Sequence, residues 1–422
     1  MKTRYYHLPR LTGVDALRLD EREVPAPRPR EVLVRMRAWS LNYRDLMIAS
    51  DAYGRVLKPD VVPLSDGAGE VVDAGSEVTR WREGDRVAGI FMPGWLSGPP
   101  AARKTAGALG GPADGVLAEY VLFDEEALVA APAHLNFAET ATLPCAAVTA
   151  WHAVAVTGGL APGQSVLTLG SGGVSLFALQ FAALGGARVL ATSSDDAKLE
   201  RLRSLGATDG VNYARTPDWG RLVAEATGGG VDHVVEVGGA GTLPQSLEAV
   251  RVGGRISLIG VLARGGGADP SSVLLKGVTL QGMFVGSREM FEQMNRAIEH
   301  HRLRPVVDRA FPFAEAPAAY WYFAGRGTSG RWSSRTSDDE RRLTGRLLTL
   351  PKGEGRRCPR QPGRRAERDA PRPASDERKG TDPHERRRSP GRAEGLLQRR
   401  RGRIRPALRG ARSPAGIADC RR

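Results

Sequence analysis

Seven residues, Leu169-Gly170-Ser171-Gly172-Gly173-Val174-Ser175 (LGSGGVS, 169–175), decide how the central part of this chain folds. They follow an apolar, strand-like run at residues 165–169 and open an apolar, helix-like run that ends at residues 185–186. In such a strand–loop–helix unit the first glycine permits a tight turn and the second lets the backbone approach a pyrophosphate. The N-terminus of the following helix favours that negative charge. The stretch therefore predicts a dinucleotide-binding loop made of Gly170, Ser171, Gly172, Gly173 and Val174.

Strand-like and helix-like runs alternate after this loop. Strands are predicted at residues 188–192, 210–213, 231–237 and 256–259, and helices at residues 196–205 and 243–250. Continuous apolar strands that alternate with helices are typical of a parallel, doubly wound sheet. In a chain this rich in glycine, the loop alone is equally consistent with an ordinary turn. The ordered strands and helices around it favour the dinucleotide interpretation.

The end of the second strand bears on which dinucleotide binds. An acid there would bind the ribose 2′-hydroxyl of NAD, whereas small hydroxyls with a nearby cation accept the 2′-phosphate of NADP. The chain has Ser193 and Ser194 at this point and Lys198 one helical turn later, so NADP is favoured. The alternative is NAD bound through Asp195 or Asp196, although these acids also suit the start of a helix as caps.

Further cofactor contacts are expected where other strands of a doubly wound sheet end, because ligands bind at the carboxyl ends of the strands. The remaining residues assigned to the cofactor at these strand ends are Tyr213, Gly238, Gly239, Gly260 and Val261. Each glycine set could also be a simple turn.

The first 145 residues have a different pattern. Short alternating runs at residues 32–36, 69–72, 85–88 and 117–121 are separated by turn signals, which predicts an antiparallel, barrel-like domain. The stretch at residues 93–115 is too long for a tight turn and is a candidate loop over a site.

Charge is concentrated near the end of the chain. The whole chain carries +14, but residues 331–422 hold 28 Lys and Arg against 12 Asp and Glu, a net of +16. This segment contains no valine, and its only aromatic residue is Trp332. It cannot bury enough apolar surface to offset the entropy of ordering, so we expect a disordered tail from residue 329.

Cysteine content and hydropathy indicate the compartment. Three cysteines in 422 residues give no disulfide framework, which fits a reducing environment. No run approaches the roughly 18 apolar residues of a membrane span, and the N-terminus lacks the apolar core of a signal peptide. We expect a soluble, cytoplasmic protein with no membrane partner.

Five stretches resemble the medium-chain dehydrogenase/reductase superfamily, and within it the zinc-free quinone and enoyl reductase-like members. The stretches are Asn42-Tyr43-Arg44-Asp45, Gly67-Ala68-Gly69-Glu70-Val71-Val72, Gly84-Asp85-Arg86-Val87, Leu143-Pro144-Cys145 through Thr149-Ala150-Trp151, and the Gly170 loop. The resemblance implies an α/β chain with a GroES-like barrel domain (1–146), a Rossmann domain (147–284), a return to the barrel domain (285–328) and the basic tail (329–422). It also suggests a homodimer.

The resemblance argues against zinc. Zinc-dependent relatives place a cysteine where Asn42 stands, a His-Glu pair where Ser65-Asp66 stands, and a third ligand at Cys145. An asparagine amide is a poor zinc ligand beside thiolate or imidazole. We therefore expect no metal.

Without a metal, hydrogen-bond donors must stabilise the oxyanion that forms as hydride arrives. The resemblance implies the Asn42 amide as first candidate, with Tyr43 and Tyr53 as weaker ones; a turn-forming asparagine and ordinary packing tyrosines are the alternatives. Asp45 is expected to orient its neighbours or to pair with an arginine. Thr149 matches the family position beside the nicotinamide.

The leading hypothesis is an NADP(H)-dependent, zinc-independent oxidoreductase acting on a small carbonyl, quinone or enone. Alcohol oxidation is the alternative within enzymes. An impaired protein whose basic tail binds nucleic acid nonspecifically is the alternative from another class. The tail lacks the interleaved aromatics of single-strand binders, so we expect no nucleic-acid partner.

The residues at 329–334 suggest an origin for the tail. The family usually ends with a strand of the type Phe-Gly-Lys-Val-Val-Ile, encoded for example by TTC GGG AAG GTG GTC ATC. Deleting one T gives codons for Ser-Gly-Arg-Trp-Ser-Ser, which is the sequence at this place. A one-base deletion would make the rest an out-of-frame segment and remove the closing strand, leaving an unpaired strand edge in the barrel domain.

Overall fold

The computed structural model describes residues 1–54, 56–260, 262 and 267–325, together with the backbone of residues 331–335. The expected disordered tail otherwise lies outside the described residues, as does Val261. The strands are β1 (Lys2–His7), β2 (Arg18–Glu23), β3 (Glu31–Ser40), β4 (Asp66–Ala74), β5 (Arg86–Gly89), β6 (Tyr120–Asp124), β7 (Leu128–Ala130), β8 (Ser165–Leu169), β9 (Arg188–Ser193), β10 (Asp209–Asn212), β11 (Val231–Glu236), β12 (Val250–Leu258), β13 (Thr279–Gly282), β14 (Val307–Pro312) and β15 (Arg331–Arg335). The helices are α1 (Tyr43–Ala49), α2 (Ala102–Thr105), α3 (Phe137–Thr140), α4 (Val148–Trp151), α5 (Gly173–Leu184), α6 (Asp196–Ser204), α7 (Trp219–Ala226), α8 (Leu243–Ala249), α9 (Pro270–Lys276), α10 (Arg288–His301) and α11 (Ala316–Ala324).

The middle of the chain forms a parallel six-stranded sheet in the order β10-β9-β8-β11-β12-β13. Its central strands are buried on both faces because helices cover them, which is why their sequences are continuously apolar. The chain crosses from β10, at one edge, back to the centre at β11, so the sheet is doubly wound. The predicted α/β class and the parallel sheet are confirmed. The edge strand β13 was not predicted, since its sequence, Thr-Leu-Gln-Gly, is short and half polar.

The barrel domain is built on a mixed seven-stranded sheet in the order β14-β15-β3-β4-β5-β7, with β6 also paired to β3. Strand β3 is its centre, because it pairs antiparallel with both β4 and β6. Most of the side chains of β3 are buried, and Trp39 donates from Nε1 to the Val116 carbonyl at 2.6 Å. The strands expected at residues 32–36, 69–72 and 85–88 are present. The one expected at residues 117–121 begins later, at Tyr120.

The closing strand differs from the expectation. The backbone of Arg331–Arg335 pairs parallel with β14 and antiparallel with β3, so this edge of β3 is covered. Main-chain hydrogen bonds do not depend on side-chain identity, which explains how a segment without the usual Lys-Val-Val residues can still extend the sheet. The expectation that these residues belong to a disordered tail, and that the barrel domain lacks its closing strand, is therefore corrected.

Two segments connect the barrel domain with the parallel sheet. The outward connection is a run of short helical turns from α3 to residue 157, in which π-helical turns at Leu143–Ala147 and His152–Thr157 flank α4. The return connection is α10, whose N-cap Ser287 accepts a hydrogen bond from the Met290 amide. None of the described helices is long and apolar enough to cross a bilayer.

Candidate active site

The dinucleotide loop has the conformation expected from its sequence. Gly170 has φ of +72°, a value that favours glycine, and no atom lies within 4 Å of where a Cβ would be at Gly170 or Gly172. The space beside this backbone is therefore open to a pyrophosphate. Gly172 is the N-cap of the twelve-residue helix α5. Ser175, which replaces the third glycine of the usual pattern, donates its buried hydroxyl to the Leu169 carbonyl at 2.7 Å and so ties the helix to the strand.

The carboxyl ends of β9 and β10 lie side by side. The Tyr213 amide donates to the Ser193 carbonyl, so the residues after both strands occupy one edge of the sheet. Asp195 is the N-cap of α6 and accepts from the Lys198 amide at 3.0 Å. Both candidate ribose acids thus have structural roles, because Asp196 accepts from the Asn212 amide group at 2.8 Å and also pairs with Arg215.

A buried carboxylate shapes the loop after β11. Glu236 is fully buried, and its Oε1 accepts from the Gly238 amide at 2.7 Å and the Gly239 amide at 2.9 Å. The same oxygen accepts from the Thr242 hydroxyl at 2.6 Å, and Oε2 accepts from the Ser246 hydroxyl. The two glycines lie at the carboxyl edge as predicted, but their N–H groups already bind Glu236. These N–H groups are therefore engaged within the chain, and a Cβ at Gly238 would lie 2.2 Å from the Thr242 hydroxyl oxygen, so glycine is required there by packing.

Gly260 follows the end of β12 by two residues, at the same edge. A Cβ here would lie 1.5 Å from the Val237 carbonyl oxygen, so glycine is required by the close approach of two strand ends. Beside it, the predicted contact Val261 lies outside the described residues.

Thr149 lies in α4, between the two π-helical turns. It is buried, and its hydroxyl donates to the Cys145 carbonyl at 2.6 Å. Cys145 in turn donates its amide to Asp66 Oδ2 at 3.1 Å, which ties this helical segment to β4 of the barrel domain. π-Helical turns occur frequently at functional sites. The segment carries Thr149 to the junction between the two domains.

The predicted substrate residues surround the start of α1. Asn42 is buried and is the N-cap, and its backbone amide donates to Asp45 Oδ2 at 2.7 Å. The buried Asp45 also pairs with Arg44 at 3.3 Å between Oδ1 and Nη1, which is the arrangement anticipated for this acid. The Arg44 guanidinium lies 5.0 Å from the centre of the Tyr53 ring. Asn42, Asp45 and Tyr53 thus belong to one cluster, whereas Tyr43 is 47% exposed on the outer face of the helix.

Comparison with known proteins assigns the family. Residues 28–133 match the family described as Alcohol dehydrogenase GroES-like domain, and residues 173–300 match Zinc-binding dehydrogenase. A zinc-type alcohol dehydrogenase-like protein of Schizosaccharomyces pombe is 45% identical over 332 residues, which cover 76% of this chain and 96% of that relative. The chain belongs to the medium-chain dehydrogenase/reductase superfamily.

Other superfamily members that the chain resembles have different activities. The NADPH-dependent alkenal/one oxidoreductase of Arabidopsis thaliana is 30% identical, with 76% of this chain and 76% of that protein covered. A solved structure of an NAD-dependent alcohol dehydrogenase superposes with a TM-score of 0.72 at 32% identity, covering 79% of this chain and 99% of that chain. The chain is accordingly an NAD(P)-dependent oxidoreductase. These relatives differ in cofactor and in substrate.

The donor set at the superfamily's zinc position does not fit that metal. No group of three or more His, Cys, Asp or Glu side chains that could hold a metal exists among the described residues. Asp66, which stands where zinc-dependent relatives have a glutamate, accepts from the Ser65 hydroxyl at 2.7 Å and from the Cys145 amide. Asn42 offers only an amide. Zinc prefers four ligands drawn from thiolate, imidazole and carboxylate, and one cysteine with one engaged carboxylate falls short.

Sequence reasoning missed three residues of this region. Arg44 was quoted within a motif but given no role; its i, i+4 spacing to the buried Ile48 was the signal that it faces the core. Arg215 follows the third strand by three residues and pairs with Asp196 at the start of α6. Glu236 ends an apolar strand run, and a charged residue at such a position indicates a satisfied buried group or a site.

Trp95 and His152 have structural roles. Trp95 is 1% exposed, and its indole Nε1 donates to the Gly98 carbonyl at 2.8 Å, so it holds the long loop in place. His152 is buried with Nδ1 2.6 Å from the Val285 carbonyl, and burial lowers its pKa.

Proposed function

We propose that this oxidoreductase is NADP(H)-dependent and zinc-independent, and that it reduces a small carbonyl, quinone or enone. The observation that carries the proposal is the donor set around Asn42, in which an amide, an engaged carboxylate and a single thiol stand where zinc-dependent members need three ligands. A reductase can stabilise its oxyanion with hydrogen bonds alone. Alcohol oxidation without zinc would need a general base, and the described site offers no clear candidate.

The preference for NADP is supported by the ends of β9 and β10. The carboxylates of Asp195 and Asp196 are engaged by the helix cap and by Arg215. Ser193 is buried and its hydroxyl oxygen accepts from the Asp195 amide at 3.3 Å, so Ser194 is the exposed hydroxyl at the strand end. Lys198 lies in α6, and Arg215, which follows β10, pairs with Asp196 at the start of α6, so both cations lie near this helix. A 2′-phosphate would meet Lys198 and the Ser194 hydroxyl, with Arg215 held beside them by Asp196, whereas a ribose 2′-hydroxyl would meet two acids that are already engaged.

The bound nicotinamide supplies the hydride. The chain's part is to orient the substrate oxygen and to stabilise its developing negative charge. We assign the Asn42 side-chain amide as a donor to that oxygen, because Asn42 is buried at the start of α1 and held there by its backbone bond to Asp45. Tyr53 would form one wall of the substrate site. Solvent supplies the proton.

Alcohol oxidation is the second candidate, and the names of several relatives favour it, the S. pombe protein among them. The two functions differ in their metal requirement. In the alcohol dehydrogenase case the purified protein should contain stoichiometric zinc and lose activity to a chelator. In the reductase case neither should occur.

The test begins with fluorescence titration of the purified chain with NADPH and NADH, followed by assays of a quinone, an enal and an alcohol with and without chelator. We expect NADPH to bind more tightly than NADH, and the quinone or enal to be reduced in chelator. Absence of nucleotide binding at millimolar concentration would refute the proposal, as would zinc-dependent alcohol oxidation.

Matched variants separate the cofactor assignment from general charge effects. Arg215→Ala should weaken NADPH binding roughly 10- to 100-fold with little effect on NADH, since one charge-assisted contact to phosphate is worth about 1.5–3 kcal/mol. Arg203→Ala is the control, because Arg203 pairs with Glu200 on α6, the helix whose Asp196 pairs with Arg215. Equal losses for both nucleotides in Arg215→Ala would argue against a 2′-phosphate site.

A further inference from the structure

Arg44 is an unusual arginine for the interior of a barrel domain. Its side chain is 8% exposed, and its guanidinium is enclosed by the ring of Tyr53 at 5.0 Å and the ring of Phe91 at 4.7 Å. Phe91 in turn contacts Phe284, which follows the edge strand β13 of the parallel sheet. The guanidinium is therefore held in the part of the barrel domain that faces the carboxyl edge of that sheet.

Among the described residues, Nη1 is the guanidinium nitrogen that meets hydrogen-bond acceptors. Nη1 pairs with Asp45 Oδ1 at 3.3 Å and donates to the Leu109 carbonyl at 3.0 Å. Nε and Nη2 are buried and meet no hydrogen-bond partner in the described part of the chain. These two nitrogens form the side-on fork of the guanidinium, whose parallel N–H groups suit an oxygen acceptor.

Leaving such donors buried and unbound is costly. An unsatisfied buried polar group costs about 1–3 kcal/mol, and more when it is charged, so native structures seldom keep one without a reason. The fork lies against the long loop over the site, since a Cβ at Gly111 would be 2.9 Å from Nη2. An acceptor that enters beneath this loop would satisfy it.

The positive charge of Arg44 is secure. Burial works to lower its pKa, but the Asp45 carboxylate and the neighbouring Tyr53 and Cys145 raise it, and the pKa ends above its ordinary value. Arg44 therefore stays protonated throughout the working range of an enzyme. It can stabilise charge, but it cannot serve as the proton donor.

We propose that the side-on fork of Arg44 binds the substrate oxygen and is the main electrophile of the reaction, in the place where zinc-dependent relatives use a metal. This inference rests on the proposed function. Two electrons and a proton move as hydride from reduced nicotinamide to the carbonyl carbon, or to the β-carbon of an enone, and the C=O or C=C π bond breaks. The negative charge collects on the oxygen at the Nε–H and Nη2–H groups of Arg44. Water then protonates the oxygen, or the α-carbon of the enolate, and Arg44 is unchanged.

A purely structural arginine is the competing explanation. In that case Arg44 only neutralises Asp45, and water fills the space at the fork. The two explanations differ in what they predict for turnover, because a structural arginine affects stability and not the barrier of hydride transfer in molecules that remain folded.

The test compares Arg44→Met and Arg44→Lys with the unaltered chain, all bound to NADPH. We expect kcat for a quinone or enal to fall roughly 10²–10³-fold in Arg44→Met, the range seen when a single oxyanion donor is removed. Arg44→Lys keeps the charge but loses the fork, and should fall by a smaller factor. The Kd for NADPH should stay within about twofold, and added guanidinium ion should restore part of the lost kcat.

Arg86→Met is the matched control. Arg86 also lies over an aromatic ring, Phe137 at 4.8 Å, and also donates to backbone carbonyls of the barrel domain. It should alter the melting temperature about as much as Arg44→Met while leaving kcat within threefold. Comparable kcat in Arg44→Met, Arg86→Met and the unaltered chain would overturn the proposal, as would a loss that guanidinium ion fails to rescue in a folded, NADPH-binding variant.

A measurement that does not depend on turnover separates the proposed role of Arg44 from the proposed reductase function. 4-Nitrophenol changes absorbance on ionisation, so a site that stabilises an oxyanion lowers the apparent pKa of the bound phenol. We expect this shift in the unaltered chain and its loss in Arg44→Met. A chain that reduces none of the substrates contradicts the proposed function. The nitrophenol shift then decides the role of Arg44 by itself, and its persistence in Arg44→Met overturns that role.

Discussion

Tyr320, on α11, shows the cost of a buried polar group at the scale of one residue. Its side chain is 1% exposed, and its hydroxyl makes no hydrogen bond with the described residues. Burial raises the pKa of Tyr320 well above its ordinary value and the Asp45 charge adds to this, while Arg44 opposes it. We expect Tyr320→Phe to leave the free energy of unfolding unchanged or to raise it by up to about 1 kcal/mol, because an unsatisfied hydroxyl is removed. Urea denaturation measures the change.

Tyr322→Phe provides the comparison on the same helix. The Tyr322 hydroxyl donates to Asp308 Oδ2 at 2.9 Å, so its removal should lower stability by about 1.5–3 kcal/mol. If Tyr320→Phe costs as much as Tyr322→Phe, then the Tyr320 hydroxyl is satisfied by water and the premise fails.

Whether the role of a residue could be predicted from the sequence depends on whether its partners lie close to it along the chain. The glycines of the Gly170 loop were predictable because the backbone alone dictates them: only glycine readily adopts the φ of +72° at position 170. The capping role of Asp195 was predictable for the same reason, since it acts on an amide three residues away. The role of Arg44 was not. Its partners Leu109, Phe91 and Tyr53 come from separate parts of the sequence, so the spacing to Ile48 indicates which face of the helix Arg44 is on but not what it contacts there.

At the scale of one element, the buried histidine of strand β11 makes the stability of the folded chain depend on pH. Its His233 is 3% exposed with Nε2 2.8 Å from the Ser257 hydroxyl, and burial, with a smaller effect of the Arg255 charge, lowers its pKa from 6.5 to about 4. The unfolded chain binds a proton at His233 below pH 6.5, whereas the folded chain does so only near pH 4. The contribution of His233 is therefore fully present above pH 6.5. As the pH falls from 6.5 to 4, it should reduce stability by up to about 3 kcal/mol.

Unfolding in urea at a series of pH values tests this. His233→Gln should flatten the loss of stability between pH 6.5 and 4, whereas the exposed His301→Gln should leave the slope as it is. His152 adds a smaller slope of the same sign because burial lowers its pKa too. A His233→Gln curve parallel to that of the unaltered chain would contradict the assignment.

Elements were predictable where the local pattern was strong. Strands β8 and β9 and helix α5 have long apolar runs bounded by glycine, and the residues fixed their limits within one or two positions. The strands β13 and β15 are short and partly polar, and their strand state comes from pairing with β12 in one case and with β14 and β3 in the other. Such tertiary pairing leaves no periodicity in the sequence for an analysis to detect.

At the scale of the whole molecule, the β13 edge of the parallel sheet predicts that two copies of the chain associate. Among the described strands, β13 pairs only with β12, so one edge of β13 has no described partner. Nearby, Leu274 and Leu275 of α9 are 79% and 81% exposed, and Leu280 of β13 is 38% exposed. An open strand edge beside exposed leucines favours pairing with a second copy.

We expect a homodimer in analytical ultracentrifugation, and a shift towards monomer in Leu275→Glu. Val56→Glu, at an equally exposed position in the barrel domain, should leave the dimer intact; a monomeric unaltered chain would refute this.

Strand β15 separates the contribution of residues 331–335 to the fold from that of the residues after them. If a one-base deletion made the segment, its strand persists through backbone pairing alone, and residues 336–422 serve no purpose in folding or catalysis. A chain that stops after residue 335 should then keep the melting temperature, NADPH affinity and kcat of the full chain. A chain that stops after residue 325 should lose stability, since β3 and β14 lose the strand between them.

Combining Trp332→Val, Ser333→Val and Ser334→Ile, as the restored frame would, should raise the melting temperature by about 2–4 °C, because β-branched residues favour a strand paired on both sides. Resequencing the locus checks the deletion itself, and a truncation at 335 that destroys folding or activity would show that the basic segment is a working part of the protein.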